Sequence, residues 1–203
     1  MEGSQKFQVP IVRGHTRLNG DHYELSSTMI GEIKKSDYIS AKNAKYNDDI
    51  ILAVDFLGRI PTVSKYYWDT VTFKQSEEVL LRRRSMNIIA QQHLANSAKD
   101  ISNAGIFGTI LQLIKYSNVG AIININNIKI PPFLVKNGYD LENYIKMYLT
   151  TSYILSAPED KSKDVLKVFE KHSLHAKIIG KIIKDEHLLK ISDGNESLDV
   201  LKL

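Results

Sequence analysis

The apolar positions of this chain change period several times, and each change predicts an element. Residues 7–12 read as a strand ending at Arg13-Gly14-His15-Thr16. A polar turn follows, and residues 23–34 alternate, with Leu25, Ser27, Met29 and Gly31 set against Glu24, Ser26, Thr28 and Ile30. Two such runs predict a β-hairpin, too small to stand alone in water. Residues 40–49 are polar and place a boundary, so residues 1–40 are assigned to the hairpin and 41–203 to a folded domain. Residues 50–55 form a short apolar run suited to a buried strand. Residues 56–73 are long and irregular, and loops of that length are more often functional than idle. Helices are expected over 76–94, 104–116 and 141–149, and from Pro158 onward. In the second of these Ile106, Ile110, Leu113 and Ile114 mark the inward face. Strands are expected over 119–125, 152–157, 177–183, 187–191 and 198–203. This order predicts an α+β fold, a mixed sheet with helices packed on one face.

Composition adds bounds. With 43% hydrophobic and 25% charged residues, the chain is long enough to bury a proper core. No apolar run approaches the ~20 residues of a membrane span, so no membrane partner is expected. The first residues lack a signal-peptide layout and cysteine is absent, so the cytoplasm is the expected location. The net charge of +4 is mild. Arg82-Arg83-Arg84 is read as a solvated helix face, and nucleic acid is not expected as a partner because no aromatic platform accompanies it.

Candidate chemistry concentrates in residues 99–108, Lys-Asp-Ile-Ser-Asn-Ala-Gly-Ile-Phe-Gly. An acid, two polar side chains and two glycines lie just before a helix. Helix N-termini favour phosphate, and a carboxylate beside phosphate suits Mg²⁺. The alternative is that Asp100, Ser102 and Asn103 only cap the helix. Ser76 is a second expected cap. Asp69, beside Trp68 on the long loop, is a candidate substrate or interface contact; equally, a buried Trp68 would anchor that loop. His22, His93, His172, His175 and His187 show no metal spacing and are read as structural or solvated.

The ordered motifs carry a resemblance. Asp100-Ile101-Ser102-Asn103-Ala104-Gly105 resembles the Asp-[Ile/Val]-[Ser/Thr]-x-Gly-Gly motif of the AIR synthase (PurM) superfamily. Arg13-Gly14-His15-Thr16 is similar to its Gly-Gly-[His/Asp/Glu]-Thr motif. Asn43-Ala44-Lys45-Tyr46-Asn47-Asp48-Asp49 resembles the Ala-Lys-Pro-Gly-Asp linker into its C-terminal domain. The Gly120-Ala121-Ile122-Ile123-Asn124-Ile125 run, with Ile128-Lys129-Ile130-Pro131, looks like the stretch after its motif helix. Trp68-Asp69-Thr70 with Ser76-Glu77-Glu78 is most like the AIR-synthase-related group among methanogenesis-marker proteins. Four positions depart from the pattern: Arg13 and Ala104 replace glycines, and Tyr46-Asn47 replaces Pro-Gly. Asn47 can still take a left-handed turn, and Arg13 could reach phosphate through its guanidinium.

The resemblance implies a PurM C-terminal-like domain preceded by a hairpin remnant of the N-terminal domain. It implies ATP and Mg²⁺ as cofactors, Asp100 as a metal ligand, and Arg13, Gly14, His15, Thr16, Ser102, Asn103 and Gly105 as nucleotide- or substrate-binding positions. It further implies homodimerisation through the hairpin strands. The family's N-terminal ATP-binding domain would come from a separate polypeptide, or else the chain is a truncated gene product. Phosphoryl transfer from ATP to a substrate oxygen is the implied reaction; a non-catalytic binding or assembly module with the same fold is the alternative.

Overall fold

The computed structural model describes residues 2–14 and 26–202. Its centre is β1 (Asp49–Val54), buried at every position. Ile50, Leu52 and Val54 point to one face of the sheet, and Ile51 and Ala53 to the other. A strand buried on both faces reads as a continuous apolar run, as the sequence shows. Each fully buried aliphatic side chain contributes roughly 1.5–3 kcal/mol, and β1 supplies such side chains to both faces of the sheet.

Around it lie β3 (Ser97–Asp100), β4 (Gly120–Asn124), β6 (Ser152–Ala157), β7 (His175–Ile183), β8 (Leu188–Ser192) and β9 (Ser197–Lys202). They form one seven-stranded sheet in the order β3-β6-β1-β7-β4-β8-β9. All neighbours are antiparallel except the parallel pair β4–β8. A small parallel pair, β2 (Tyr67–Trp68) with β5 (Tyr148–Leu149), forms a second sheet. Asn47 does take the left-handed conformation, φ 70°, and its N–H donates to Ile182 O at 3.0 Å.

The α+β class and mixed sheet are as expected, but the helices cover both faces. The helices α2 (Ser76–Gln91) and α6 (Glu159–Lys171) bury Ile89, Val165 and Phe169 against Ile51 and Ala53. On the opposite face α3 (Gly105–Ser117) and α5 (Leu141–Ile145) bury Ile106, Ile110, Ile114 and Tyr144 against Ile50, Leu52 and Val54. A sheet whose central strand is apolar on both sides requires a layer on each. A five-residue helix, α4 (Pro132–Lys136), buries Leu134 in the second layer.

Further corrections concern local readings. Phe7, expected to begin a strand, instead ends α1 (Glu2–Phe7), and residues 9–14 and 26–34 pair with no strand among the described residues. The remainder of the expected hairpin, including His15 and Thr16, lies outside the described residues. Gln75, not Ser76, precedes α2, and its N–H donates to Glu78 Oε2 at 3.3 Å. Ser76 Oγ instead donates to the Lys6 carbonyl and ties α1 to α2. The strand β3 was unexpected, because Ser97-Ala98-Lys99-Asp100 lacks an apolar run; it forms as an edge against β6.

Candidate functional site

The long loop after β1 is organised from within. Trp68 is fully buried and its indole N–H donates to Asp55 O at 2.8 Å. Gly58 packs flat on the indole, where a Cβ would lie 2.4 Å from the ring. Asp69 is only 1% exposed. Its Oδ1 accepts the N–H groups of Val71 and Thr72, each at 2.9 Å. Its Oδ2 accepts Arg59 Nε at 3.2 Å and the Thr72 hydroxyl. Burial alone would push its pKa up, but these hydrogen bonds hold it below the usual carboxylate range. The carboxylate's acceptor sites are thus committed to the loop, and of the two readings of Trp68-Asp69 the geometry matches the anchor.

Beneath this loop lies a buried charge cluster. Asp55 is fully buried and pairs with both Lys74 Nζ and Arg82 Nε. Burial pushes the Lys74 pKa down, and the Arg82 charge adds to this against the opposing pull of Asp55. The arginine triplet is therefore not one solvated face. Arg82 turns inward, while Arg83 and Arg84 are both exposed as expected, and Arg83 also lines a groove.

That groove, about 270 Å³, lies where β3 ends and β6 begins. Asp100 lines it with Arg83, Tyr148, Thr150, Thr151 and Tyr153. The Asp100 side chain is 68% exposed, and its ion-pair partner is Lys99 at 3.7 Å. Burial raises the Tyr153 pKa; the nearby Arg83 charge opposes this and Asp100 adds to it. No side chain caps α3: Ala104 occupies the cap position without a side-chain hydrogen bond. The capping alternative for Asp100, Ser102 and Asn103 therefore does not hold.

The remaining expected positions scatter. Ser102 is half-buried and Asn103 exposed in the turn between β3 and α3, outside the groove lining. Gly105 is buried with φ 66°, and a Cβ there would meet Ile145 O at 2.1 Å. Its close approach is to the chain itself. Arg13 and Gly14 are exposed in an unpaired segment that does not line the groove. Sequence reasoning missed Arg83, Tyr148, Thr151 and Tyr153. The run of hydroxyls at Thr150-Thr151-Ser152 was the one available signal, and nothing in it announces the backbone turn that gathers it beside Asp100.

The donor set constrains any metal. Among the described residues no three His, Cys, Asp or Glu side chains gather into a site. Mg²⁺ is commonly held by one or two carboxylates plus phosphate and water. Exposed Asp100 fits that role as a single carboxylate ligand to an ion arriving with phosphate. It does not fit a stand-alone protein cage.

The C-terminal-domain profile of the AIR synthase related proteins matches residues 62–189. The Methanocaldococcus jannaschii protein MJ0640 is 35% identical over 193 residues, covering 95% of this chain and 58% of its own length. The Synechocystis protein sll0787 is 29% identical over 194 residues, with 96% and 58% covered. The chain thus spans a little over half the length of these relatives. Among solved structures, Thermotoga maritima PurL complexed with ATP aligns with a TM-score of 0.65 at 13% identity, over 83% of this chain and 27% of that one. The hydrogenase maturation protein HypE in complex with ATP aligns at 0.64 and 14% identity, over 85% and 56%. At such identities the likeness is one of fold. Among the described residues no helix is long and apolar enough to cross a membrane.

Proposed function

The chain belongs to the AIR synthase related proteins, and from that premise we propose that it forms the C-terminal part of an ATP-dependent synthase or kinase-type protein. The reaction is transfer of the ATP γ-phosphoryl group to a substrate oxygen, breaking one P–O bond to release ADP and forming another. The observation that carries this reading is the exposed, uncapping Asp100 at the mouth of a groove that also holds a guanidinium and hydroxyls. Phosphoryl transfer depends on positioning and charge neutralisation more than on covalent chemistry, and this donor set suits both. Mg²⁺, when bound, would neutralise charge on the phosphates. Asp100 would hold it, while Arg83 and the hydroxyls orient the phosphate oxygens. The ATP complexes of PurL and HypE support the nucleotide.

The groove is open at the surface beside the exposed Asp100, where the rest of an AIR synthase related protein, on the same or a separate polypeptide, would complete the site. A homodimer would form through the N-terminal segment. Val12 is 92% exposed and Ile30 97% exposed, with Ile11, Met29 and Ile33 also open. Apolar side chains this exposed on unpaired backbone favour a covering strand.

Calorimetric titration of ATP with Mg²⁺ into the chain, alone and mixed with an N-terminal-half polypeptide, tests the reading. Binding that is lost in Asp100→Ala supports it. No binding and no turnover in either sample overturns it. The same fold serving as a non-catalytic assembly module would then be favoured by the exposed apolar segment, and sedimentation as a monomer at micromolar concentration would count against it.

A further inference from the structure

We propose that the groove beside Asp100 holds a phosphate group between the Arg83 guanidinium and the Thr151 hydroxyl, with Phe7 keeping Arg83 in place. This rests on the groove being the ligand site proposed above. It adds the side chains that read the ligand's charge and shape.

Thr151 is the first observation. Its φ is 50°, a left-handed conformation that β-branched residues seldom adopt. The residue is 7% exposed, and its Oγ1 is buried without a hydrogen-bond partner among the described residues. Its neighbours are satisfied: Thr150 Oγ1 accepts Thr70 N–H at 2.8 Å, and Ser152 Oγ donates to Thr150 O at 3.1 Å. Of three consecutive hydroxyls, only the strained middle one lacks a partner; its residue lines the groove, and rotation about χ1 would turn the buried hydroxyl toward a ligand there. Unpaired buried polar atoms and strained backbone both concentrate at ligand sites.

Arg83 is the second. It lines the same groove, while its neighbour Arg82 turns inward to Asp55. The Arg83 Cζ lies 4.6 Å from the Phe7 ring centroid. A guanidinium stacked on a ring keeps the N–H donors at its edge for a ligand. Phe7 is itself tied down, because Lys6 Nζ donates to Val71 O at 3.1 Å and Thr72 O at 2.9 Å. The N-terminal helix therefore acts through Arg83 on the groove.

The chemistry selects phosphate over carboxylate. A terminal phosphate has three oxygens: two can meet the guanidinium fork and one the hydroxyl, while any of them can also face a cation at Asp100. A carboxylate has only two. Asp100 by itself repels the anion, so Mg²⁺ should tighten binding.

The test titrates inorganic pyrophosphate into the folded chain by calorimetry, with and without Mg²⁺, and locates it through the backbone amide signals of Ile101 and Thr151. Arg83→Gln is expected to weaken binding by about tenfold or more in both conditions. Thr151→Val and Phe7→Ala weaken it by a smaller factor. Asp100→Asn removes the Mg²⁺ enhancement but leaves metal-free binding equal or tighter. Failure of the native chain to bind pyrophosphate, signals that move elsewhere, or unchanged affinity in Arg83→Gln each overturns the proposal. If Mg²⁺ has no effect while Arg83→Gln still weakens binding, the metal role of Asp100 fails and the phosphate site stands.

Discussion

Gly105 faces the carbonyl oxygen of Ile145 so closely that a Cβ on Gly105 would lie 2.1 Å from that oxygen. Its φ of 66° is also left-handed. Both facts come from the way α3 starts against the end of α5. Gly105→Ala should therefore destabilise by about 2–5 kcal/mol, combining roughly 1–2 for the backbone with roughly 1–3 for overpacking. Urea unfolding of the two proteins checks this. An effect below about 1 kcal/mol would mean that the α5 backbone gives way to the added methyl group.

Asp69 makes stability depend on pH. Its folded pKa lies below the usual value because hydrogen bonds from Thr72, Val71 and Arg59 outweigh burial. The stabilisation it gives is complete above the unfolded value, about 3.9. It is lost as pH falls through that value and the lower folded one. Asp69→Asn should cost about 1–3 kcal/mol near neutral pH. Chemical unfolding at stepped pH values should show a shallower acid limb in the variant; superimposable acid limbs would refute the assignment.

Asp55 is paired with both Lys74 and Arg82, and all three are buried. Asp55→Ala leaves two buried cations without their carboxylate and should cost about 3–5 kcal/mol. Replacing all three by apolar residues of similar volume should recover much of that loss. Thermal unfolding of the single and triple variants separates this from a simple cavity effect, which the triple variant would not repair.

Trp68 is the one tryptophan in the chain and is fully buried. Its emission should be blue-shifted in the folded state and move red on unfolding. Gly58→Ala, which sets a methyl group 2.4 Å from the indole, should shift the emission and lower stability by about 1–3 kcal/mol. Unchanged emission in that variant would argue against the packing of Gly58 on Trp68.

Much of this fold is legible without coordinates. β6 falls on the expected residues, β1 begins one residue earlier, and α3 presents the expected Ile106, Ile110, Leu113 and Ile114. These elements announce themselves because burial imposes a period on the sequence. β3 does not, because an edge strand gains its order from β6 and needs no apolar run of its own. α1 does not, because its place depends on Ser76 and on contacts with α2. The two-sided helical layers follow from β1, whose unbroken apolar run signals burial on both faces.

The sequence by itself determined the family, the α+β class and the position of Asp100, since motif order and periodicity are properties of the chain alone. The tertiary structure decided what that aspartate faces. It turned Arg82 inward and Arg83 toward the groove, and it committed Asp69 to its own loop. It also brought Thr151 to the end of β3 by a left-handed turn. Such side-chain assignments depend on contacts between residues far apart in sequence, and no local pattern encodes them.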